Sequence, residues 1–351
     1  MLPPEVRAAI LAAATGLSPL SFAFMTEEDN LPAWTGKPGR YEVWFLTASD
    51  GEQGYWIRYS LLAPDRGPGE ARLWFARYDR VDTANTFAVN RAFPLEEFAS
   101  RQGRFEVRVG SGVMRSGHCQ GVVSGGGHEV SWLLDFETGQ PTHRLLPETL
   151  YRSGIAPTKP FSPNIATTFT GRVVVDGQAV PVAGMPGQQG HLYGKKHADR
   201  WAWAHCGAFQ DQDAVVQAIA AQGSRGPVST PFTSFVGLRW QGEWLRLSGV
   251  SRTRPFWLGG WRIDVSNRKY RLTGRVAGDP MYMVRAEYHD PDGAPRYCHN
   301  TELASSRFVL FEKGETGYEE RAVLASEGTT HAEWAGRTPA PGEFTPHVPV
   351  E

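Results

Sequence analysis

Gly187 to Gln210 reads GQQGHLYGKKHADRWAWAHCGAFQ. At strand period, His197, Asp199, Trp201, Trp203, His205, Gly207 and Phe209 fall on one face, and Ala198, Arg200, Ala202, Ala204, Cys206 and Ala208 on the other. Side chains alternate across a strand, so one face is bulky, aromatic and polar-tipped while the other is nearly all small. That pattern suits a strand buried on both sides. The bulky face is expected to turn inward and line a cavity. In the opposite orientation the alanines would make room for a ligand and the tryptophans would join two barrels.

Working outward, the same period recurs along the chain. Strands are expected at Tyr41–Phe45, Tyr55–Leu61, Arg72–Tyr78, Arg104–Val109, Val113–Val123 and Glu129–Phe136, with a hairpin turn at Gly125-Gly126-Gly127. Pro94–Gln102 reads as a helical turn. Gly139 to Pro163 carries five prolines without a period and reads as an interdomain connection. Beyond it, Phe169–Val175 and Gln178–Val182 flank Asp176-Gly177, a type I′ hairpin signal. Further strands follow at Val215–Ala220, Phe235–Trp240, Trp244–Val250, Trp261–Val265, Tyr270–Val276 and Met281–Tyr288, and closing strands at Tyr297–Asn300, Phe308–Glu312 and Glu319–Leu324. After Glu327 the chain reads as Pro-rich and frayed. Many short strands at hairpin spacing with little helix indicate an all-β chain built of two barrels or sandwiches. Aromatic interiors favour barrels that hold an apolar ligand.

The totals exclude several classes. At 351 residues, 41% hydrophobic and 21% charged, the chain is an ordinary globular protein of about two domains. Its net charge of -1 leaves no electrostatic footprint for nucleic acid. Three scattered cysteines, Cys119, Cys206 and Cys298, favour a reducing compartment, and a cytoplasmic location is expected. No apolar run is long enough to span a bilayer. Pro4–Ala14 reads as a short helix. Ser21-Phe22-Ala23 resembles a signal-peptide cleavage site, but Glu5 offsets Arg7 and Pro19 interrupts the stretch, so no signal peptide is expected. Met25 is an alternative start.

Motifs narrow the chemistry. A phosphate loop ending at Gly194-Lys195 would need glycine where Gln189 stands and serine or threonine where Lys196 stands. No metal site is expected: His197 and His205 lie roughly 26 Å apart on an extended strand, and no HExxH is present. No GxSxG elbow occurs either. Acids beside aromatics remain. Protonating an alkene needs a carboxylic acid held protonated in an apolar pocket and aromatic faces around the developing cation. Asp199 beside Trp201 and Trp203 fits, as does Asp290, two residues after Tyr288. The competing readings are an ion pair for Asp199 and a plain turn at Asp290-Pro291-Asp292-Gly293.

Trp56-Ile57-Arg58-Tyr59, Leu73-Trp74-Phe75, Trp132-Leu133-Leu134-Asp135-Phe136, Gly190-His191-Leu192-Tyr193-Gly194, Trp201-Ala202-Trp203-Ala204-His205-Cys206 and Cys298-His299-Asn300-Thr301 occur in this order. Together they resemble the AttH-like and carotenoid 1,2-hydratase-like group, which includes tocopherol cyclase-like proteins, over roughly Leu31 to Ala325. The resemblance implies two consecutive lipocalin-like antiparallel β-barrels with few short helices: an extension at 1–30, barrels at 31–165 and 166–330, and a tail at 331–351. It also implies isoprenoid-like or other lipid-like ligands and, in the hydratase branch, cofactor-free addition of water by a Tyr-x-Asp pair with an upstream Trp. Tyr288-His289-Asp290 and Trp261 resemble that arrangement.

Three readings follow. In the first, an apolar isoprenoid-like or steroid-like molecule is enclosed in a barrel and undergoes acid-catalysed hydration, cyclisation or isomerisation. Asp290 is then the acid, Tyr288 positions it and Asp199 is in reserve; Trp201, Trp203, His205, Trp261, Tyr193 and His191 contact the ligand. No cofactor, nucleic acid or membrane insertion is expected. In the second, the same cavity serves a non-catalytic lipid carrier. In the third, the barrels are packed solid by their own aromatics.

Overall fold

The computed structural model describes residues 28–153, 156–225, 228–251, 256–340 and 347–348. The Pro4–Ala14 helix, the signal-like segment and Met25 lie outside them. The chain is all-β, in two barrel-like sheets. Arg40–Ser49 (β1), Gln53–Ala63 (β2), Glu70–Asp79 (β3), Phe87–Pro94 (β4), Phe98–Ser100 (β5), Glu106–Val109 (β6), Gly112–Arg115 (β7), His118–Gly125 (β8), His128–Phe136 (β9), Thr158–Val175 (β10) and Gln178–Gly194 (β11) form the first. Its order is β4-β3-β2-β1-β11-β10-β9-β8-β7-β6-β5. The sheet curls until β2 and β3 face β6 and β8, and the inward side chains share one core that includes Trp44, Tyr59, Phe75 and Trp132.

The second sheet contains Arg200–Cys206 (β12) and Ala214–Gln222 (β13). After a small hairpin, Ser224–Arg225 (β14) with Val228–Ser229 (β15), come Phe232–Trp240 (β16), Glu243–Ser251 (β17), Phe256–Trp257 (β18), Gly260–Ser266 (β19) and Tyr270–Ala277 (β20). Val284–His289 (β21), Pro295–Lys313 (β22), Tyr318–Gly336 (β23) and His347–Val348 (β24) complete it. The ladder β12-β13-β16-β17-β19-β20-β22-β23 returns to β12, closing an eight-stranded barrel. An interior of that size is just wide enough for side chains to fill. Here Trp261, Trp334, Phe232, Phe308 and Leu272 fill it, packed against Ala202, Ala204, Ala218 and Ala220.

Local chemistry explains most boundaries. In β9, Val130, Trp132, Leu134 and Phe136 are buried while Glu129, Leu133 and Asp135 are exposed. Asp176 and Gly177 both take positive φ, 50° and 80°, as a type I′ hairpin requires. Other expectations are corrected. Pro94–Gln102 is not helical: one 3-10 turn, Leu95–Glu97, leads into β5. Gly139–Pro163 is not only a connection, because it holds a short helix, Glu148–Ser153, and the start of β10. Pro163 sits where the β10–β11 register shifts between Phe161 and Asn164, a bulge that accommodates a residue without an N–H. β11 pairs with β1 from Tyr41 to Ala48, so the β10–β11 hairpin belongs to the first sheet. The sheets therefore divide between Gly194 and Arg200 rather than at 165/166. The second barrel runs to Gly336, so 331–336 is strand and not tail.

β1, β2 and β3 are buried on both faces. Their outward side chains, among them Phe45, Trp56, Trp74 and Tyr78, pack against Trp201, Trp203, Val284 and Leu303 of the second barrel. Hydrogen bonds tie the two units across this face: Ser49 Oγ donates to the Gly328 carbonyl at 2.8 Å, Gln217 Nε2 to Ser162 Oγ at 2.8 Å, and the Tyr78 hydroxyl to Asn300 Oδ1.

Candidate functional site

A cavity of about 260 Å³ lies between the two barrels. The expectation was a cavity inside one barrel; this one lies where the two barrels meet, and the interior of the second is filled by side chains. The faces of β12 explain why. Ala202, Ala204 and Cys206 turn into the packed barrel interior, so Trp201 and Trp203 turn outward and line the space against β1 and β2. Phe45 meets Trp203 edge-on, with centroids 5.9 Å apart. Leu192, Phe161, Ile219 and Phe235 make the rest of the wall mostly apolar. Arg58, His197, His331 and Glu333 interrupt it, together with Thr158, Ser162, Gln217 and the Tyr288 ring.

Two histidine–carboxyl pairs reach this lining, with their carboxyl groups shifted in opposite directions. His197 is stacked on Tyr41 at 4.1 Å and lies 5.4 Å from Trp201. Its Nδ1 meets Asp290 Oδ1 at 2.6 Å, and the same oxygen accepts the His197 backbone N–H at 3.1 Å. Asp290 is also ion-paired to the fully buried Arg296. Burial alone would raise the Asp290 carboxyl, but the His197 bonds and Arg296 outweigh it and hold it below the usual carboxylate range. His197 is pulled below the ordinary imidazole value, by burial foremost and against the opposing pull of Asp290.

On the other side, His331 lies 4.7 Å from the Trp203 ring and its Nδ1 is 2.5 Å from Glu302 Oε1. Burial pushes Glu302 well above the carboxylate range, and the Glu333 carboxylate pushes it further. Burial pulls His331 down to about 4. Both shifts favour a protonated carboxyl behind a neutral imidazole. Glu333 itself is held by two donors, Trp201 Nε1 on Oε1 and Cys298 Sγ on Oε2, each at 3.1 Å.

The residues singled out from sequence are dispersed. Trp201, Trp203 and Tyr288 line the cavity. Asp290 lies behind His197, in the turn closed by Gly293 N–H to its carbonyl at 2.8 Å, and it is ionised rather than a protonated acid. Asp199 is ion-paired to Arg337, off the cavity. Trp261 is in the interior of the second barrel. His205 donates from Nε2 to the Ile165 carbonyl at 2.7 Å, and burial lowers it to about 3. His191 bonds Glu42 at 2.8 Å and stacks on Trp44 in the first barrel, with Tyr193 beside it. Sequence reasoning passed over Arg58, Glu302, His331 and Glu333. Arg58 follows Trp56 at strand period, and Glu302 stands in an otherwise uncharged run, Asn300 to Ser306; those were the available signals. His331 and Glu333 fell in the supposed tail.

Among the described residues no cluster suited to a metal occurs, and no helix is long and apolar enough to cross a membrane. The three cysteines are free and buried.

Two lipocalin-like barrels meeting at a mostly apolar cavity define the class: a tandem-barrel protein. Residues 165–336 match the model of the tocopherol cyclase-like family. An uncharacterised Mycobacterium tuberculosis protein, recorded from two strains, is 27% identical over 337 residues, covering 92% of this chain and 94% of its own. The structure of a Nitrosomonas europaea protein assigned as AttH superposes with a TM-score of 0.51 at 14% identity, covering 85% of this chain and 93% of that one, and shares the fold. A kievitone hydratase of Nectria haematococca gives a TM-score of 0.49 at 12% identity, covering 88% and 92%.

Proposed function

We propose that this protein binds an apolar, unsaturated isoprenoid-like or steroid-like molecule between its barrels and protonates a carbon–carbon double bond, leading to hydration, cyclisation or isomerisation. The observation that carries this reading is the Glu302–His331 pair at the wall formed by Trp203. His331 gives its Nε2 proton to the alkene while Nδ1 takes the Glu302 proton, so the pair ends as a carboxylate and a neutral imidazole. The cation that forms is stabilised by the faces of Trp201 and Trp203, in a site with little water to quench it. Water, an internal nucleophile or loss of a neighbouring proton then completes the reaction. The His197–Asp290 pair, with its carboxylate ionised, is the proton acceptor. A recess of about 10 Å³ lined by Glu302, His205 and His331 is large enough for one water to reload Glu302.

Incubation of purified protein with a panel of unsaturated isoprenoids and steroids in deuterated water, followed by mass analysis, tests this. The expected product gains one water or is an isomer carrying deuterium. Glu302→Gln, which keeps shape and removes the transferable proton, is expected to lower turnover about 10²- to 10⁴-fold with little change in binding. Asp290→Asn is expected to slow the later proton removal. Recovery of bound but unaltered ligand would make the protein a carrier.

A further inference from the structure

Arg58 is 8% exposed and lines the cavity. Among the described residues no carboxylate pairs with it, and its side-chain nitrogens make no hydrogen bond; Nε is buried without a partner. Among the described residues its guanidinium lies over three rings, 4.8 Å from Tyr288, 5.5 Å from Trp74 and 5.9 Å from Trp56. An arginine is always charged, and a buried charge without a counter-ion is strongly unfavourable unless something else satisfies it. The other charged group on the lining, Glu333, has both oxygens engaged by Trp201 and Cys298. The aromatic shelf fixes the guanidinium without consuming its N–H donors, which leaves a rigid fork at one side of an apolar chamber.

We infer that the ligand carries a carboxylate, which Arg58 binds as its counter-ion, with the apolar body of the ligand laid along Trp201 and Trp203. One positive charge matches one carboxylate, and the planar fork suits its two oxygens. A phosphomonoester would bring a second negative charge into a chamber that already contains Glu333. This inference rests on the cavity being the ligand site.

Farnesoic acid and farnesol share one isoprenoid chain and differ at the head group, so titrating both into the full chain separates head-group recognition from chain binding. The acid is expected to bind about ten- to hundredfold more tightly, the range of a charge-assisted hydrogen bond. Arg58→Met is expected to abolish that preference and leave farnesol affinity within about twofold. The same variant removes an unpaired buried charge, so its Tm is expected to equal or exceed that of the native protein. Equal binding of acid and alcohol by the native protein, or an undiminished preference in Arg58→Met, overturns the role of Arg58 and leaves the cavity reading standing. Failure of both probes to bind the native protein overturns the two together.

Discussion

Burial has shifted several histidines in one direction. His143 and His205 are pulled down to about 3, and His299 and His331 to about 4, desolvation being the largest cause for each. An unfolded histidine titrates near 6.5. As pH falls below that value the unfolded chain takes up protons that the native protein refuses, so stability is lost from about pH 6.5 down toward pH 4. Glu302 acts with the opposite sign. Its raised pKa means the native protein keeps a proton that the unfolded chain releases above about 4.5, so its contribution is present in acid and lost as pH rises. Four histidines outweigh one carboxyl, and the urea midpoint is expected to fall between pH 7 and pH 5. His205→Gln, which retains a donor for the Ile165 carbonyl, is expected to flatten the dependence by about 1.4 kcal/mol per pH unit. A native profile that is flat over this window would refute the neutral state assigned to these side chains.

At the scale of elements, the site depends on how closely β2 crosses β22. A Cβ on Gly54 would lie 2.3 Å from the Glu302 Cβ, so only glycine allows the first barrel to approach the carboxyl that backs His331. Gly54→Ala is expected to destabilise the protein by about 1–3 kcal/mol, as overpacking does, and to depress turnover by displacing Glu302. Gly223→Ala, where a Cβ meets nothing within 4 Å, is the control and is expected to be silent in turnover. Equal effects of the two substitutions would show that the close approach is unimportant. Contacts of this kind mark the limit of what periodicity reveals. Strands with one solvent face, such as β9, were plain because burial writes an alternating pattern. β12 was recognised as doubly buried, yet nothing in Trp201-Ala202-Trp203-Ala204 says which face meets the barrel interior; that depends on how Trp261 and Trp334 fill it. The ends of the long hairpins were obscured by proline in β10 and by polar residues in β23, and those ends carry Phe161, His331 and Glu333 to the cavity. Arg58 acquires its significance from meeting Tyr288 across the barrel interface, and Glu302 from His331 across the long β22–β23 hairpin, and no local pattern encodes either.

At the scale of the whole molecule, the two barrels have separate cores but a shared third one. Trp201 and Trp203 on one side, and Phe45, Trp56 and Tyr78 on the other, are buried only because the barrels meet. Separation would expose this aromatic surface and strand the polar links at Ser49, Gln217 and Tyr78, so either barrel alone would display a large apolar patch. A chain of 351 residues in two units ordinarily unfolds in steps. Here the interface is expected to couple the units into one transition, coincident by calorimetry, far-ultraviolet and near-ultraviolet dichroism. Trp203→Asp places an unpaired charge in that interface and is expected to split the transition in two. A ligand held between the barrels stabilises their union and neither unit alone. At a hundredfold excess over Kd it is expected to raise the single native transition by about 2.7 kcal/mol and, in Trp203→Asp, to draw the two steps back together. Two resolved steps in the native protein, with ligand shifting only one, would instead mean that the site belongs to a single barrel and that the interface does not hold it closed.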